Sequence, residues 1–334
     1  MIAIPINYVT QSITKFQTEI TKLVSDRETK LDGLINRVCR PFKGAELQYL
    51  RELRRHLSEI ITAEPLQLSG YIPFFDEIIP SDILTSKKKR KFRDKILEIL
   101  DYTDLRSNFY PKYFKDIGIK ACVYCNSQLT VSVNGVSHHY TKEKRKYKPK
   151  VVIKAKFQVD HFLPKSDYPF LSISLFNLYP VCGSCNNCKS DIPVSFELYS
   201  NVPLRTAQSS YKFGLTHGSV ANYLLKKNID EIEIIFNDPE KPSKLLQAKG
   251  SLQDTFDIEG IYETQKDVVE ELIIKAQIYN SSYKDTLIKS FPDLFTSASL
   301  ANRVIIGNYC EPQEIHMRPM AKFVQDIARE IGLI

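Results

Sequence analysis

The sequence predicts an α+β fold in three parts: a helical N-terminal region (residues 1–110), a core of strands and turns organised by cysteines (111–195), and a mixed α/β C-terminal region (196–334). Three observations predict it. Apolar residues recur at three- and four-residue spacing through the first third of the chain. Between residues 121 and 191 alternating segments and turns replace that period, bracketed by two Cys-x-x-Cys turns. Beyond 191 strand-like and helix-like stretches mix again. A chain of 334 residues has room for two or three compact units, and it contains no internal repeat, low-complexity tract or Gly/Ser linker.

The helical period is clearest in VTQSITKFQTEITKLV (9–24), ELQYLRELRRHLSEIITA (46–63) and FRDKILEILDYTDL (92–105). Ser86 precedes the third as a candidate N-cap, with the run KKKRKFRDK (87–95) on its first turns. Cations there oppose the helix dipole, a cost that phosphate contact would offset. In the centre, LTVSVNG (129–135) and VVIKAKFQV (151–159) alternate as strands do, and Asn134-Gly135 is a turn signal, so an elongated hairpin is expected with a basic, Tyr-containing tip. Further on, EIEIIFN (231–237) and DTFDIEGIY (254–262) suggest strands. Residues 263–291 suggest one long or two consecutive helices, and 319–333 a terminal one.

An apolar share of 43% with 25% charged residues is ordinary for a globular protein. No basic start followed by an apolar block marks a secretory signal, and no stretch approaches the roughly 18 apolar residues of a membrane span, so a cytoplasmic location is expected. The formal charge of +7 is unevenly spread. Residues 142–156 hold eight Lys/Arg against one Glu, and residues 87–95 hold seven against one Asp, so the rest of the chain is net acidic. Two cationic runs on an acidic background suit a phosphate backbone, with Arg145, Lys146 and Lys148 at the hairpin tip.

Of seven cysteines, Cys122 and Cys125 stand in ACVYCNSQ, and Cys182, Cys185 and Cys188 in PVCGSCNNCK. Two such pairs separated by tens of residues are the usual grammar of a tetrahedral zinc site with four cysteine ligands, whereas a redox dithiol needs one pair. Cys185–Cys188 has the required spacing too. The pair Cys182/Cys185 is favoured because it leaves Asn186 and Lys189 in meaningful positions, with Cys188 a buried neighbour. Four thiolates leave no open coordination position, so this zinc is structural.

Between the pairs lies QVDHFLPKS, with Asp160 and His161 adjacent, then Asn177 in SLFNLYP, then Asn186 and Lys189 after the second cysteine pair. Phosphodiester hydrolysis needs an activated water, neutralisation of the phosphate and help for the leaving alkoxide. A neutral imidazole can take the water's proton, and a hard cation held by carboxylate and amide oxygens can do the rest. The ordered pattern resembles the zinc-containing HNH endonucleases, whose core is a ββα-metal finger, over about a fifth of the chain. The resemblance implies that His161 is the general base, that Asp160 and Asn186 bind Mg2+ or Mn2+, and that Asn177 braces the His-bearing loop. It implies that Lys189, and Lys165 with it, contact phosphate, and that products carry 5′-phosphate and 3′-hydroxyl ends. Many relatives have His where this chain has Asn186, which favours a hard cation.

The order of a helical N-terminus, zinc HNH core and mixed C-terminus resembles HNH effectors of bacterial anti-phage systems, the Septu-type and retron-associated nucleases among them. That implies a separate ABC/SMC-like ATPase partner, since the flanks contain no P-loop. DNA is the expected substrate and RNA suits the same chemistry. The rival readings are a stand-alone restriction- or homing-type nuclease and a non-catalytic zinc-stabilised nucleic-acid-binding module.

Overall fold

The computed structural model of the chain describes residues 1–37, 41–141, 146–239 and 250–334. A two-residue strand, β1 (Ile4–Pro5), leads into α1 (Ile6–Lys15), α2 (Gln17–Ile35), α3 (Ala45–Thr62), α4 (Pro65–Asp76), α5 (Ser81–Thr85), α6 (Arg90–Leu100), α7 (Tyr102–Asn108) and α8 (Tyr110–Ile117). All three periodic segments are helical. The first is broken at Phe16, whose ring turns inward against Phe109 and Tyr113. The period works as expected in α3, where Tyr49, Leu50, Leu53, Leu57, Ile60 and Ile61 form the buried stripe. Ser86 does not cap α6. It closes α5, its hydroxyl donating to the Ile83 carbonyl at 2.6 Å, because residues 87–89 form a turn before the helix begins. Lys89 there pairs with Glu46 of α3 at 2.7 Å.

The hairpin is present but longer and shifted. Strands β2 (Ser132–Thr141) and β3 (Lys146–Ala155) pair antiparallel, and their connection, with Arg145, falls on 142–145, outside the described residues. Asn134-Gly135 is not a turn: the two residues oppose Ile153 and Val152 in the ladder. A Cβ on Gly135 would stand 3.0 Å from the Lys154 side chain crossing above it, which accounts for a glycine in mid-strand. The segment 151–159 is two strands rather than one. Phe157 inserts its ring against Phe114 (5.6 Å) and ends the ladder. Strand β4 (Gln158–His161) then pairs antiparallel with β5 (Leu178–Val181), and α9 (Gly183–Lys189) follows directly.

In the last third, β6 (Tyr199–Ser200) pairs parallel with β1 and precedes α10 (Pro203–Ala207). Strands β7 (Lys212–Leu215) and β8 (Ile234–Asn237) pair antiparallel around α11 (Ser219–Lys226). Then come α12 (Leu252–Phe256), α13 (Ile258–Glu263), α14 (Lys266–Ile278), α15 (Ser281–Ser290), α16 (Ala298–Ile306) and α17 (Ala321–Glu330). The strand expected at 231–237 is β8, and both helical expectations hold, 263–291 as two helices. The strand expected at 254–262 is helical instead: the Ser251 hydroxyl accepts from the Asp254 N–H to cap α12, and the Asp257 carboxylate accepts from the Gly260 N–H to cap α13. Two short capped helices leave an apolar pattern that imitates alternation.

One continuous apolar cluster draws on all three regions. Its aromatic centre runs from Tyr49 to Phe75 (4.8 Å) and on to Phe170 (4.3 Å, stacked), which lies in the loop between β4 and β5. Against β7 packs α17, whose buried Lys322–Asp326 pair (2.6 Å) also receives the Phe213 N–H at 2.9 Å. Among the described residues no helix is long and apolar enough to cross a membrane.

His316, which has no evident partner in sequence, is buried and faces the Ile2 carbonyl through Nε2 at 2.8 Å. Its own carbonyl accepts from the N–H groups of Lys120 and Ala121, tying the N-terminus to the first cysteine turn. Burial lowers its pKa from 6.5 to about 4. The folded chain thus keeps the ring neutral where the unfolded chain takes up a proton, so stability is full above about pH 6.5 and falls as pH drops toward about 4. Denaturant midpoints measured across that window should decline with acid, and His316→Gln, which keeps a donor for Ile2, should make the decline shallower.

Candidate functional site

Cys122, Cys125, Cys182 and Cys185 are all buried, and their sulfur atoms lie within 4.8 Å of one another. The Cys125 and Cys182 sulfurs are 3.9 Å apart, close to the roughly 3.8 Å edge of a tetrahedron with 2.3 Å metal–sulfur bonds. Backbone N–H groups already point at the sulfurs, Cys182 N at Cys122 Sγ (3.3 Å), Cys185 N at Cys182 Sγ (3.4 Å) and Ser127 N at Cys125 Sγ (3.5 Å). Donors of this kind stabilise thiolates, while burial first, and then the neighbouring sulfurs of Cys125 and Cys182, push the Cys122 thiol well up. A buried four-sulfur cluster so arranged can hold a tetrahedral metal ion such as zinc. Cys188 is exposed and outside the cluster. The spacing ambiguity therefore resolves to Cys182/Cys185, and the expectation of a buried Cys188 is corrected: on α9 it lies three residues past Cys185, on the solvent side.

The neighbourhood of the cluster locks its turns. Asn126, left-handed at φ 54°, follows Cys125. Its amide donates to the Ile315 carbonyl (2.7 Å) and accepts from the Lys322 N–H (3.0 Å). The buried Tyr262 hydroxyl donates to the Cys125 carbonyl at 2.9 Å. Cys182 is itself the N-cap of α9, accepting from Cys185. The same sulfur that closes the cluster therefore starts the helix that carries Asn186.

Beside the cluster, a cleft of about 210 Å³ is lined by Asp160, His161, Lys165 and Asn186, with Gln158, Tyr102, Arg106 and Asp191 around them. Four of the residues singled out in sequence thus converge on one cavity. His161 ends β4 and is buried. Its Nε2 lies 2.9 Å from the Ser172 carbonyl. A carbonyl can only accept, so Nε2 carries the proton of the neutral ring and Nδ1 keeps its lone pair. Burial, with smaller contributions from Lys165 and Lys189, lowers the His161 pKa to about 3, against the hydrogen bond to Ser172. Asn177 cross-braces the loop beyond His161: its Oδ1 accepts from the Leu163 N–H (2.7 Å), and its Nδ2 donates to the carbonyls of Leu163 (3.0 Å) and Leu171 (3.2 Å).

Asp160 is buried and takes both the Tyr124 hydroxyl (2.7 Å) and the Lys189 ammonium (3.3 Å) on Oδ2. Burial pushes its carboxyl up, and Lys189 and Tyr124 oppose the push without cancelling it. Asn186 donates Nδ2 to Gln158 Oε1 at 2.7 Å, which directs its own oxygen away from Gln158. One carboxylate and one amide oxygen on the cleft wall suit a hard cation that keeps several waters.

Lys189 overturns its expected role. Its side chain is fully buried, paired with Asp160 and donating to the His161 carbonyl at 2.9 Å. It balances charge inside the wall and does not reach the cleft surface. Lys165 is exposed at the rim, its Nζ 5.1 Å from the centre of the Tyr102 ring. Lys146 and Lys148 take their places in the β3 backbone opposite Thr141 and His139, and Arg145 lies outside the described residues. Sequence reasoning missed Tyr102, whose ring packs 4.7 Å from His161 and whose hydroxyl donates to the Val159 carbonyl at 2.7 Å. No local motif flags it, because it comes from α7, 59 residues upstream of His161.

The cluster makes a direct prediction. Cys122→Ser should lose the bound metal, about one equivalent per chain, together with solubility, while Cys188→Ser keeps both; metal analysis of the purified variants reads the difference. Equal metal content in the two would refute the assignment of the four sulfurs. No protein-family model, curated protein or solved structure matches this chain.

Proposed function

We propose that this chain is a metal-dependent HNH endonuclease that hydrolyses DNA phosphodiester bonds, with a structural zinc on its four cysteines. The observation that carries the reading is the convergence of Asp160, His161 and Asn186 on one cleft wall, with Asn177 bracing the loop between them. The antiparallel pair β4–β5 followed by α9 supports this reading, since two strands and then a helix is the order expected of a ββα-metal finger.

With Nε2–H committed to Ser172, Nδ1 of His161 accepts the proton of a water as its oxygen bonds to phosphorus. The bond from phosphorus to the 3′ oxygen breaks, the departing oxygen takes up a proton, and 5′-phosphate and 3′-hydroxyl ends result. Burial that keeps the ring neutral makes it a weak base, and an anionic phosphate beside it would raise its basicity again. Asp160 and the Asn186 oxygen would hold Mg2+ or Mn2+. Such an ion, when bound, neutralises charge on the phosphate and on the leaving oxygen. Asn177 acts on none of the reacting atoms and keeps the His161 loop at fixed depth.

The long hairpin β2–β3, with Lys146 and Lys148 in β3, suits a phosphate backbone, contacts to which carry no sequence information. The order of the three regions supports a role as an anti-phage effector controlled by a partner ATPase, for which co-purification with an ATPase is the test. Plasmid DNA and single-stranded RNA incubated with and without Mg2+ test the chemistry. Cleavage of DNA should need Mg2+, and His161→Ala should lower it by about 10²–10⁴-fold with DNA binding retained. Equal cleavage by both chains would end the general-base role; cutting of RNA alone would replace the substrate; binding without cutting would favour the zinc-stabilised binding module.

A further inference from the structure

Burial of Lys189 removes one of the two phosphate contacts that the resemblance implies; the other, Lys165, lines the cleft together with Arg106, which no motif marks. Tyr102 and Arg106 are four residues apart on α7 and so share a helix face. Both line the cleft, with Lys165. The Tyr102 ring is half-buried between His161 (4.7 Å) and Lys165 Nζ (5.1 Å), and its hydroxyl is fixed on Val159. Arg106 and Lys165 are exposed, and among the described residues neither has a carboxylate within salt-bridge distance. Among the described residues, the acidic ones lining the cleft are Asp160 and Asp191. The start of α7 is anchored from α2. Arg27, buried, donates Nε to the Leu100 carbonyl at 3.0 Å and lies 3.8 Å from both Asp101 and Asp104, pinning the junction of α6 and α7.

We propose that Arg106, one helical turn from Tyr102 on α7, and Lys165, held against the Tyr102 ring, form a two-cation clamp for the DNA backbone at the mouth of the cleft, so that the N-terminal helical region completes the site. This rests on the nuclease reading for the identity of the polyanion but not for its test. A guanidinium and an ammonium that lack acidic partners keep their donors free for phosphate oxygens. The aromatic platform limits how far Lys165 can swing. One cation from α7 and one from the loop after β4 would hold a strand across Asp160 and His161 and not beside them.

The experiment is duplex DNA binding by the full chain, followed by anisotropy across a salt series without added Mg2+. Arg106→Ala and Lys165→Ala should each weaken binding severalfold and make the salt slope shallower by about one. Arg106→Lys should keep the slope, and Lys289→Ala, an exposed charge on α15, should leave it unchanged. Slopes equal to wild type in both alanine variants, an equal loss in Lys289→Ala, or a wild-type chain that binds no DNA would overturn the clamp. Failure of the catalytic reading is seen separately: a chain that binds DNA with these slope changes and never cuts it loses the nuclease assignment and keeps the clamp.

Discussion

The convergence of four buried sulfurs is the constraint on which the rest depends. It joins two turns whose contacting cysteines, Cys125 and Cys182, are 57 residues apart in sequence, and it does so at the start of α9. Everything that must face the cleft is referenced to that point: β5 enters it, α9 leaves it, and β4 pairs with β5. Four buried thiols unpaired with a cation would be a poor way to fill a core. As thiolates around a metal ion they would instead close the loop, and metal binding and folding of this region would then be one event. The C-terminal region grips the same turn from behind: Tyr262 holds the Cys125 carbonyl, and Ile315 and Lys322 hold the Asn126 amide. Its role toward the site is therefore mechanical: it fixes the angle of the first cysteine turn.

A second support comes from the opposite side and is purely apolar. Phe170, in the loop after His161, stacks on Phe75 of α4, which packs on Tyr49 of α3. Asn177 then ties the two ends of that loop together through three hydrogen bonds. The loop is held at its middle by rings and at its ends by an amide. A side chain at the end of a four-residue strand would otherwise sample several positions; here His161 is further confined by Ser172 and by the Tyr102 ring. The N-terminal helices thus hold the His161 loop in place through packing, separately from the charge that Arg106 of α7 brings to the rim.

Much of this was legible in the sequence, for a physical reason. Metal ligation imposes short fixed spacings, so two cysteine turns could be read directly, although spacing alone left Cys182/Cys185 and Cys185/Cys188 open until the four sulfurs were seen together. Asp160, His161 and Asn186, picked out by their order around those turns, do line one cleft. The helices of the first third were legible because each has one buried stripe. What failed depends on tertiary context. Asn134-Gly135 looks like a turn until Lys154 is seen to cross it; residues 254–262 look like a strand until two caps divide them. Ser86 and Cys188 were misjudged by a single turn of helix. Tyr102 and Arg106 were invisible, because nothing local marks a residue that meets its partners from another region of the chain.

Lys189 is the most instructive case. At its position in the motif an exposed lysine would meet phosphate, yet its stem runs inward and its ammonium rests on Asp160. An isolated buried carboxylate is costly, and one partner charge with the Tyr124 hydroxyl makes the wall close to neutral. That balance leaves Asp160 one oxygen to offer a cation, and reduces the pull it can exert alone. If the proposed cation binds there, a second oxygen would come from the Asn186 amide, neutral and oriented by Gln158. A wall built in this way adds little negative charge to the cleft. A polyanion entering it meets the field of the rim cations and of any bound dication, and not that of an unscreened carboxylate.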